Sequence, residues 1–312
     1  MTALIGILVF PGVFFLSLFG LVCEFVDRKL HARLQHRVGP PWFQPLADFI
    51  KLVSKETIIP EEADRTMFRL MPALAVAAAA AAALYIPMWS AKALFSFSGD
   101  VIVVIYLLTI PTLTFFLGGW SSTSLYAMIG SVRCLTQLFA YEVPLFMGVL
   151  APFMLASTWN FSELAEFYRA HPGYMIFNVI GFAVSLVALM GKLEKVPFDI
   201  PEAETEIVAG SFTEYSGRYL ALFRMAVDIE MVVGASLLAA VFLPFGLGLP
   251  AGVAFALYVI KVLFVVVLLS ILRTLFARLR IDQMVDFCWK YLAPASLVQL
   301  LINLAVKGAL LS

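Results

Sequence analysis

The sequence predicts an all-α integral membrane protein with about eight transmembrane helices and one further amphipathic helix. Hydrophobic residues make up 62% of the 312-residue chain and charged residues 13%, whereas about 25% of a typical soluble domain is charged. The apolar residues come in blocks of about 20, the helical length that crosses the hydrocarbon core of a bilayer. These blocks lack the alternation of barrel strands, so each span is expected to be a helix.

Charge, proline or glycine separates the apolar blocks and sets the expected ends of the spans. The predicted spans are residues 4–26, 68–89, 100–119, 135–157, 174–191, 219–243, 251–272 and 291–311. The first block has no basic residues before it and no small-residue cleavage site after it, so we expect a retained span with a kink at Pro11. Ala77–Ala83 form an alanine tract, which predicts the close approach of a neighbouring helix. We expect one membrane domain over 1–312.

A basic stretch and a short amphipathic segment follow the first span. The basic stretch contains Arg28, Lys29, Arg33 and Arg37, with His31 and His36 among them. RNA binding is one interpretation, but beside a span the positive-inside rule and anionic headgroups explain these residues better. Residues 42–56 are too short and too polar to cross, yet their apolar residues recur at helical spacing. This pattern predicts an amphipathic helix in the membrane interface or against a partner subunit.

The distribution of basic residues predicts the orientation of the chain. Seventeen of the 21 Lys and Arg residues fall on one side of the predicted spans. Lys92, Arg169 and Lys307 fall on the other side, and Lys261 lies within a span. The bias places both termini outside the cell membrane and residues 194–218 on the cytoplasmic side.

Residues 194–218 form an acidic segment between two strongly apolar blocks. Its carboxylates are Glu194, Asp199, Glu202, Glu204, Glu206 and Glu214. A solvated loop is one interpretation. Burial is the other, because Pro197 and Pro201 restrict the backbone and several apolar side chains need cover. Those side chains are Phe198, Ile200, Ile207, Val208 and Phe212.

Three acidic residues of this segment, Glu202, Glu204 and Glu206, lie within five positions of one another. Like charges this close cannot all ionise in a poorly solvated site, so we expect at least one of them to hold a proton.

Four charged residues lie in the interiors of predicted spans, away from their ends: Glu142, Asp228, Glu230 and Lys261. A charge at the bilayer centre costs about 2.5–3.5 kcal/mol, so such residues pair, face a wet cavity or become neutral. Together with the acidic segment they predict a path for ion translocation. The alternative is a structural ion pair, for instance Lys261 with Glu142 or Asp228, that only fixes helix packing.

The chain shows no motif for bond-making chemistry. The sequence has no nucleophile with a base, no Walker loop and no dinucleotide fingerprint, and its three histidines lack metal-ligand spacing. Cys23, Cys134 and Cys288 are scattered near apolar blocks and are interpreted as packing residues. The formal net charge of the chain is zero, so we expect no bound nucleic acid. Because the motifs above are absent, we expect no cofactor or metal bound to this chain either.

Five stretches together resemble subunit 1 of respiratory complex I and its relatives. They are EFVDRKLHARLQHRVGP (24–40), QPLADFIKLVSKE (44–56), SVRCLTQLFAYEVPL (131–145), KVPFDIPEAETEIVAGSFTEYSGRYLALF (195–223) and RTLFARLRIDQMVDFCWKYLAP (273–294). The resemblance covers most of the chain, and the acidic segment is highly specific to that family. It implies an eight-span subunit of the membrane arm, docked beneath the peripheral redox arm, that links electron transfer to ion pumping.

The resemblance also implies roles for particular residues. The acidic funnel of the family would correspond to Asp199, Glu202, Glu204, Glu206 and Glu214, with Glu142 as the intramembrane glutamate beyond it. The residues expected to dock the peripheral arm are Arg33, Arg37, Asp48 and Lys51.

One departure from the quinone-reducing members lies between the RVGP and QPLAD elements, where only Pro41, Trp42 and Phe43 intervene. The short connection resembles the branch of membrane-bound hydrogenase, formate hydrogenlyase and sulfane reductase, and it puts a quinone site in doubt. Electrons in that branch end on protons or sulfur.

The implied partners are a small iron–sulfur subunit, a large hydrogenase-like subunit that can hold a NiFe centre, other membrane subunits including antiporter-like ones, and lipid. Quinone reduction is the alternative within the family. A free-standing secondary transporter is the alternative outside it, although we find no internal repeat.

Overall fold

The computed structural model describes residues 6–90, 92–246 and 249–310, without the side chains of Glu204, Thr205 and Leu310. Within these residues the chain is helical and contains no strand. In the described part of the chain, eight helices are long and apolar enough to cross a membrane. The structure therefore confirms the predicted fold class.

The helices are numbered in chain order. They are α1 (Val13–Leu34), α2 (Gln44–Ser54), α3 (Arg65–Ala83), α4 (Asp100–Ser121), α5 (Leu125–Ala156), α6 (Phe161–Ala170), α7 (Val179–Lys192), α8 (Glu204–Ile207), α9 (Gly217–Phe242), α10 (Ala251–Leu275), α11 (Ile281–Phe287) and α12 (Ala293–Leu310). The 3₁₀ turn Pro172–Asn178 leads into α7, and a π-helical turn at Cys288–Leu292 joins α11 to α12. The eight spans contain α1, α3, α4, α5, α7, α9, α10 and the continuous helix of α11 and α12.

Three spans extend beyond their predicted ends. The first continues to Leu34, the fourth begins at Leu125 and the last begins at Ile281. In each case the sequence prediction ends the helix close to a charged residue. A charge marks where a helix leaves the hydrocarbon, whereas the helix itself continues until its backbone hydrogen bonding is stopped.

The amphipathic segment forms α2, as predicted. This helix packs against α9, with Pro45 buried and Phe49 packed on the main core. Leu46, Ile50 and Val53 of the same helix are exposed. Part of the apolar side of α2 is therefore used within the chain, and part is left at its surface.

A second short amphipathic helix, α6, was not predicted. The Asn160 side chain caps it by accepting hydrogen bonds from the backbone N–H groups of Ser162 and Glu163. The buried residues of α6 are Phe161, Leu164, Ala165 and Tyr168. Their helical spacing was available in the sequence, but the helix is too short to register as a span.

The alanine tract lies where two helices meet α3. This helix packs along α4 and α9, and Ala75, Ala79 and Ala82 are fully buried in the contact. Small side chains allow the helix backbones to approach closely, as the sequence predicted. The most enclosed of the eight spans is α9.

The acidic segment is folded against the bundle, so the solvated-loop interpretation is wrong. Phe198, Ile200, Ile207 and Phe212 are all less than 5% exposed. Val208, which we expected to be buried, is 56% exposed. Gly210 has a φ of +53°, and a Cβ there would lie 1.7 Å from the Pro201 carbonyl oxygen. Only glycine fits this turn, which folds the segment back on itself.

Candidate functional site

A cavity of about 440 Å³ lies where α1, α2, α9 and the start of the acidic segment meet. We call it the charged cavity. Ten ionisable side chains contribute to its wall: Glu24, Arg28, Asp48, Glu194, Lys195, Asp199, Glu202, Arg224, Asp228 and Arg273. The remaining lining residues are apolar. Charge from five separate parts of the chain is thus concentrated around one space.

Asp27 anchors one side of this cavity. Its side chain is buried, and it accepts hydrogen bonds from Lys195 Nζ at 2.6 Å, Arg273 Nη1 at 2.8 Å and Ser270 Oγ at 2.6 Å. Burial opposes the charge on Lys195, but Asp27 and Glu24 outweigh it and raise the pKa of Lys195. These contacts join α1, the acidic segment and α10.

Arg28 joins α1 to α2 on another side of the cavity. Its Nε lies 2.5 Å from Glu24 Oε1, and its Nη1 lies 2.9 Å from Asp48 Oδ2. Gln44 Nε2 also donates to Asp48 at 2.8 Å. The carboxylate of Asp48 is therefore engaged within the chain and lines the cavity. The sequence analysis groups Asp48 with the residues expected to dock the peripheral arm. The other three members of that group, Arg33, Arg37 and Lys51, are exposed.

The acidic segment does not hold its central glutamates in one site, contrary to expectation. Glu202 Oε1 accepts from Arg224 Nη1 at 2.8 Å beside the charged cavity. Glu206 points away and pairs with Arg133 at 2.6 Å and Arg278 at 3.8 Å. The hydrogen bond from Arg133 lowers the pKa of Glu206. The side chain of Glu204 lies outside the described part of the chain.

The carboxyl of this segment that is held near neutrality is Glu194. Burial raises its pKa to about 8, and the negative charge of Glu202 adds to the shift. Cys134 Sγ donates a hydrogen bond to Glu194 Oε1 at 3.2 Å. Glu194 was among the acidic residues noted in the sequence, but no separate role was predicted for it. No local pattern distinguishes it, because its partner lies 60 positions away.

Beneath the acidic segment, α7 ends in a buried ion pair. Lys192 Nζ lies 2.5 Å from Glu230 Oε1, and the two side chains are 2% and 0% exposed. Lys192 also donates to the Leu108 carbonyl oxygen. Glu230 was predicted from the sequence but Lys192 was missed, because the lysine lies at the predicted end of a span.

Lys192 also lines a second cavity of about 10 Å³ that contains Glu142 and Tyr141. Glu142 is half-buried in α5, and we find no hydrogen bond or ion pair between it and any other described residue. Lys192 thus shares a cavity with the intramembrane glutamate that the sequence selected, and the next two residues of the chain, Leu193 and Glu194, line the charged cavity.

The other predicted residues separate into two groups. Asp199 and Asp228 line the charged cavity, whereas Glu214 is not among its lining residues. Lys261 Nζ donates to the Phe245 carbonyl oxygen and lies 4.3 Å from the centroid of the Phe245 aromatic ring. Lys261 therefore pairs with neither Glu142 nor Asp228. It is 12 positions from Arg273 along α10, which corresponds to about 18 Å of helix.

Comparison with known families matches residues 6–304 to the model described as NADH dehydrogenase. The chain belongs to this family. Within the NADH dehydrogenase family, it is 32% identical over 311 residues to the NADH-quinone oxidoreductase H subunit of Carboxydothermus hydrogenoformans, covering 96% of this chain and 87% of the relative. It is 35% identical over 294 residues to the same subunit of Syntrophotalea carbinolica, covering 89% and 88%. The resemblance to subunit 1 of complex I is confirmed.

The fold has a close counterpart among solved structures. A chain in the structure of the membrane-bound sulfane sulfur reductase, an archaeal respiratory membrane complex, superposes with a TM-score of 0.83 at 24% identity. The match covers 93% of this chain and 96% of the other. Membership of the NADH dehydrogenase family and eight candidate spans among the described residues identify this chain as a membrane subunit of a complex I related oxidoreductase. Across the described residues, no group of three or more His, Cys, Asp or Glu could hold a metal ion.

Proposed function

We propose that this subunit anchors the peripheral redox arm and carries protons or other ions from the charged cavity to Glu142 as electrons flow. The observation that carries the proposal is the buried Lys192–Glu230 pair, whose lysine lines the second cavity and is followed directly in the chain by Leu193 and Glu194 of the charged cavity. Lys192 Nζ and Glu230 Oε1 are 2.5 Å apart, so a proton can pass between the two groups when the charge near them changes.

The proposed route starts among carboxylates that share the charged cavity. Asp199, Glu202 and Asp228 form part of its wall. Glu194 lines the same cavity, and burial raises its pKa to about 8. Loss of that proton adds a negative charge near Glu230, whose own charge already acts on Glu194. The position of the proton within the Lys192–Glu230 pair then changes. Glu142, which lines the second cavity with Lys192, is the next ionisable group on the route. The contacts of Glu206 and Lys261 lie away from this route, and Glu214 is not among the residues that line the charged cavity.

The proposed orientation puts the charged cavity on the cytoplasmic side, with both termini outside. Arg28 and Arg273 line the charged cavity, and Arg133 pairs with Glu206 of the acidic segment. These basic residues of α1, α5 and α10 support the proposed orientation, because the cytoplasmic ends of membrane spans are enriched in Lys and Arg. This face would dock the small iron–sulfur subunit and the large hydrogenase-like subunit, which hold the redox centres. Antiporter-like subunits would continue the membrane arm.

The terminal acceptor is proposed to be protons or a sulfur compound. More than half of the residues that line the charged cavity are ionisable, whereas sites for large organic ligands are lined mainly by apolar and aromatic side chains. The short connection at Pro41–Phe43 and the fold of the sulfane reductase subunit agree with this choice.

Quinone reduction is the second candidate, because both relatives are named as subunits of NADH-quinone oxidoreductase. The purified complex should reduce protons or polysulfide and leave a short-chain quinone unreduced. Quinone reduction that is lost on Asp199→Asn substitution would reverse this choice.

The central test is Glu142→Gln in vesicles reconstituted with the whole complex. Glutamine preserves shape and hydrogen bonding but cannot release a proton. We expect ion transport per electron to fall at least several-fold, while assembly and electron transfer change much less. Glu166→Gln on the exposed face of α6 is the matched control and should behave as wild type. Wild-type transport per electron in Glu142→Gln would refute the route.

A further inference from the structure

Two residues of α5, one helical turn apart, hold the turn that carries Glu194. Gln137 Nε2 donates to the Gly191 carbonyl oxygen at 2.6 Å and to the Phe198 carbonyl oxygen at 2.9 Å. It therefore ties together the two ends of the stretch that contains Glu194. Cys134 contacts the Glu194 carboxyl group itself. Gln137 is 1% exposed and Cys134 is 0% exposed, so both α5 residues are almost fully buried.

The Cys134 thiol has two acceptors within reach and only one proton to donate. Its Sγ lies 3.2 Å from Glu194 Oε1 and 3.7 Å from the Thr112 carbonyl oxygen on α4. An ionised carboxylate is the stronger acceptor, because hydrogen bonds to charged groups are about twice as strong as those between neutral groups. A protonated Glu194 competes less well, so the thiol can turn toward Thr112.

Thr112 extends the contact toward the second cavity. Its hydroxyl lies 3.1 Å from the hydroxyl of Tyr141, and Tyr141 lines the cavity that contains Glu142. Glu194, Cys134, Thr112 and Tyr141 thus form a run of polar contacts between α4 and α5, in which Thr112 takes part through its carbonyl oxygen on one side and its hydroxyl on the other.

Gln137 gives an independent sign that the site is polar. Its Oε1 is buried and accepts no hydrogen bond from any described residue. The two carbonyl groups bonded to Nε2 fix the orientation of the amide, because only the NH₂ group can donate to both. A buried polar acceptor therefore lies beside the turn that carries Glu194.

We propose that Cys134 is a positioning residue for Glu194: its thiol stabilises the ionised carboxylate and turns to the Thr112 carbonyl when Glu194 is protonated. Three carboxylates act on Glu194: Asp199 and Glu202 of its own segment and Glu230 of α9. The basic residues that line the same cavity are Arg28, Lys195, Arg224 and Arg273. The carboxylates have the larger effect on Glu194. All three disfavour ionisation of Glu194. Cys134 is the neutral donor that opposes them, and its link to ion transport rests on the proposed function.

The test is a pH titration of the whole complex followed by infrared difference spectroscopy. The protonated carboxyl band of Glu194 is assigned by its loss in Glu194→Gln, and the S–H stretching band of Cys134 by its loss in Cys134→Ser. We expect the two bands to change together as the pH is raised. An S–H band that does not change while Glu194 titrates would overturn the proposal.

Substitution supplies the second readout. Cys134→Ala removes the donor and should raise the titration midpoint of Glu194 by about one pH unit. Cys134→Ser keeps a donor and should return the midpoint to the wild-type value or below it. Ser131→Ala is the matched control, since Ser131 is a buried α5 residue that donates to Ala127 rather than to the acidic segment. An unchanged midpoint in Cys134→Ala would contradict the proposal.

Failure of this proposal and failure of the proposed function are distinguishable. A shifted Glu194 midpoint in Cys134→Ala, with unchanged transport per electron at every pH, would support the positioning role and contradict a role of Glu194 in transport. An unchanged midpoint contradicts the positioning role whatever the transport shows.

Discussion

Lys192 Nζ lies 2.5 Å from Glu230 Oε1, and this pair joins the end of α7 to the middle of α9 in almost complete burial. Placing two charges away from water is costly, and their mutual attraction offsets that cost only while both are present. The pair therefore ties the stability of the bundle to the charge state of the residues along the proposed route.

The first prediction concerns the loss of one partner. Glu230→Gln should destabilise the subunit by about 3–5 kcal/mol, because Lys192 would remain buried without its counter-charge. The double variant Lys192→Met with Glu230→Leu should regain most of that stability but should not transport ions. Thermal denaturation of the purified complex measures the first effect, and vesicle transport the second.

The control for this prediction is the exposed pair formed by Lys290 and Asp286, whose side chains are 64% and 62% exposed. Asp286→Asn should change stability by at most about 1 kcal/mol. Equal melting temperatures for Glu230→Gln and Asp286→Asn would show that the buried pair is not a stabilising contact.

The second prediction concerns pH. The pKa of Glu194 is raised to about 8 in the folded chain, above its ordinary value near 4.3. The folded state then binds more protons than the unfolded state between these values, so this group's contribution to stability is complete at low pH and is lost as pH rises toward about 8.

The measurement compares melting temperatures of Glu194→Gln and wild type from pH 5 to pH 9. Glutamine cannot ionise, so the variant should gain several degrees relative to wild type across this range. Glu166→Gln, which alters an exposed carboxylate, should show no such trend. A constant difference between Glu194→Gln and wild type would contradict the raised pKa.

The third prediction concerns docking of the peripheral arm. Arg33 and Arg37 are exposed at the end of α1 and just beyond it. Replacing both residues by glutamate should loosen the arm, because rim charges govern docking and its salt dependence. The arm should then dissociate at a salt concentration several-fold below that of the wild type. Co-purification of the redox subunits over a salt series measures the effect.

The matched control reverses Lys92 and Arg169, which are also exposed but lie on the opposite side of the predicted spans. That double variant should retain the arm as wild type does. Retention of the arm by Arg33→Glu/Arg37→Glu at high salt would mean that this face does not dock it.

The elements of the fold were predictable because their signals are local. The length of each apolar block predicts a span, and helical spacing within 42–56 predicts α2. Burial of the acidic segment was also predictable, since Phe198 and Phe212 need cover whatever their neighbours are. Glu142 was selected for a similar reason, because a charge within an apolar span is costly in any arrangement.

The sequence by itself determined an eight-span helical bundle, a buried acidic segment and the carboxylates placed within spans. Only the tertiary structure decided the pairing of Lys192 with Glu230, the contact of Cys134 with Glu194 and the separation of Glu202 from Glu206. Each of these depends on which helices pack together and on the path of the backbone after α7. Charges can be counted in a sequence, but the distance between two charges far apart in the chain is fixed by packing alone.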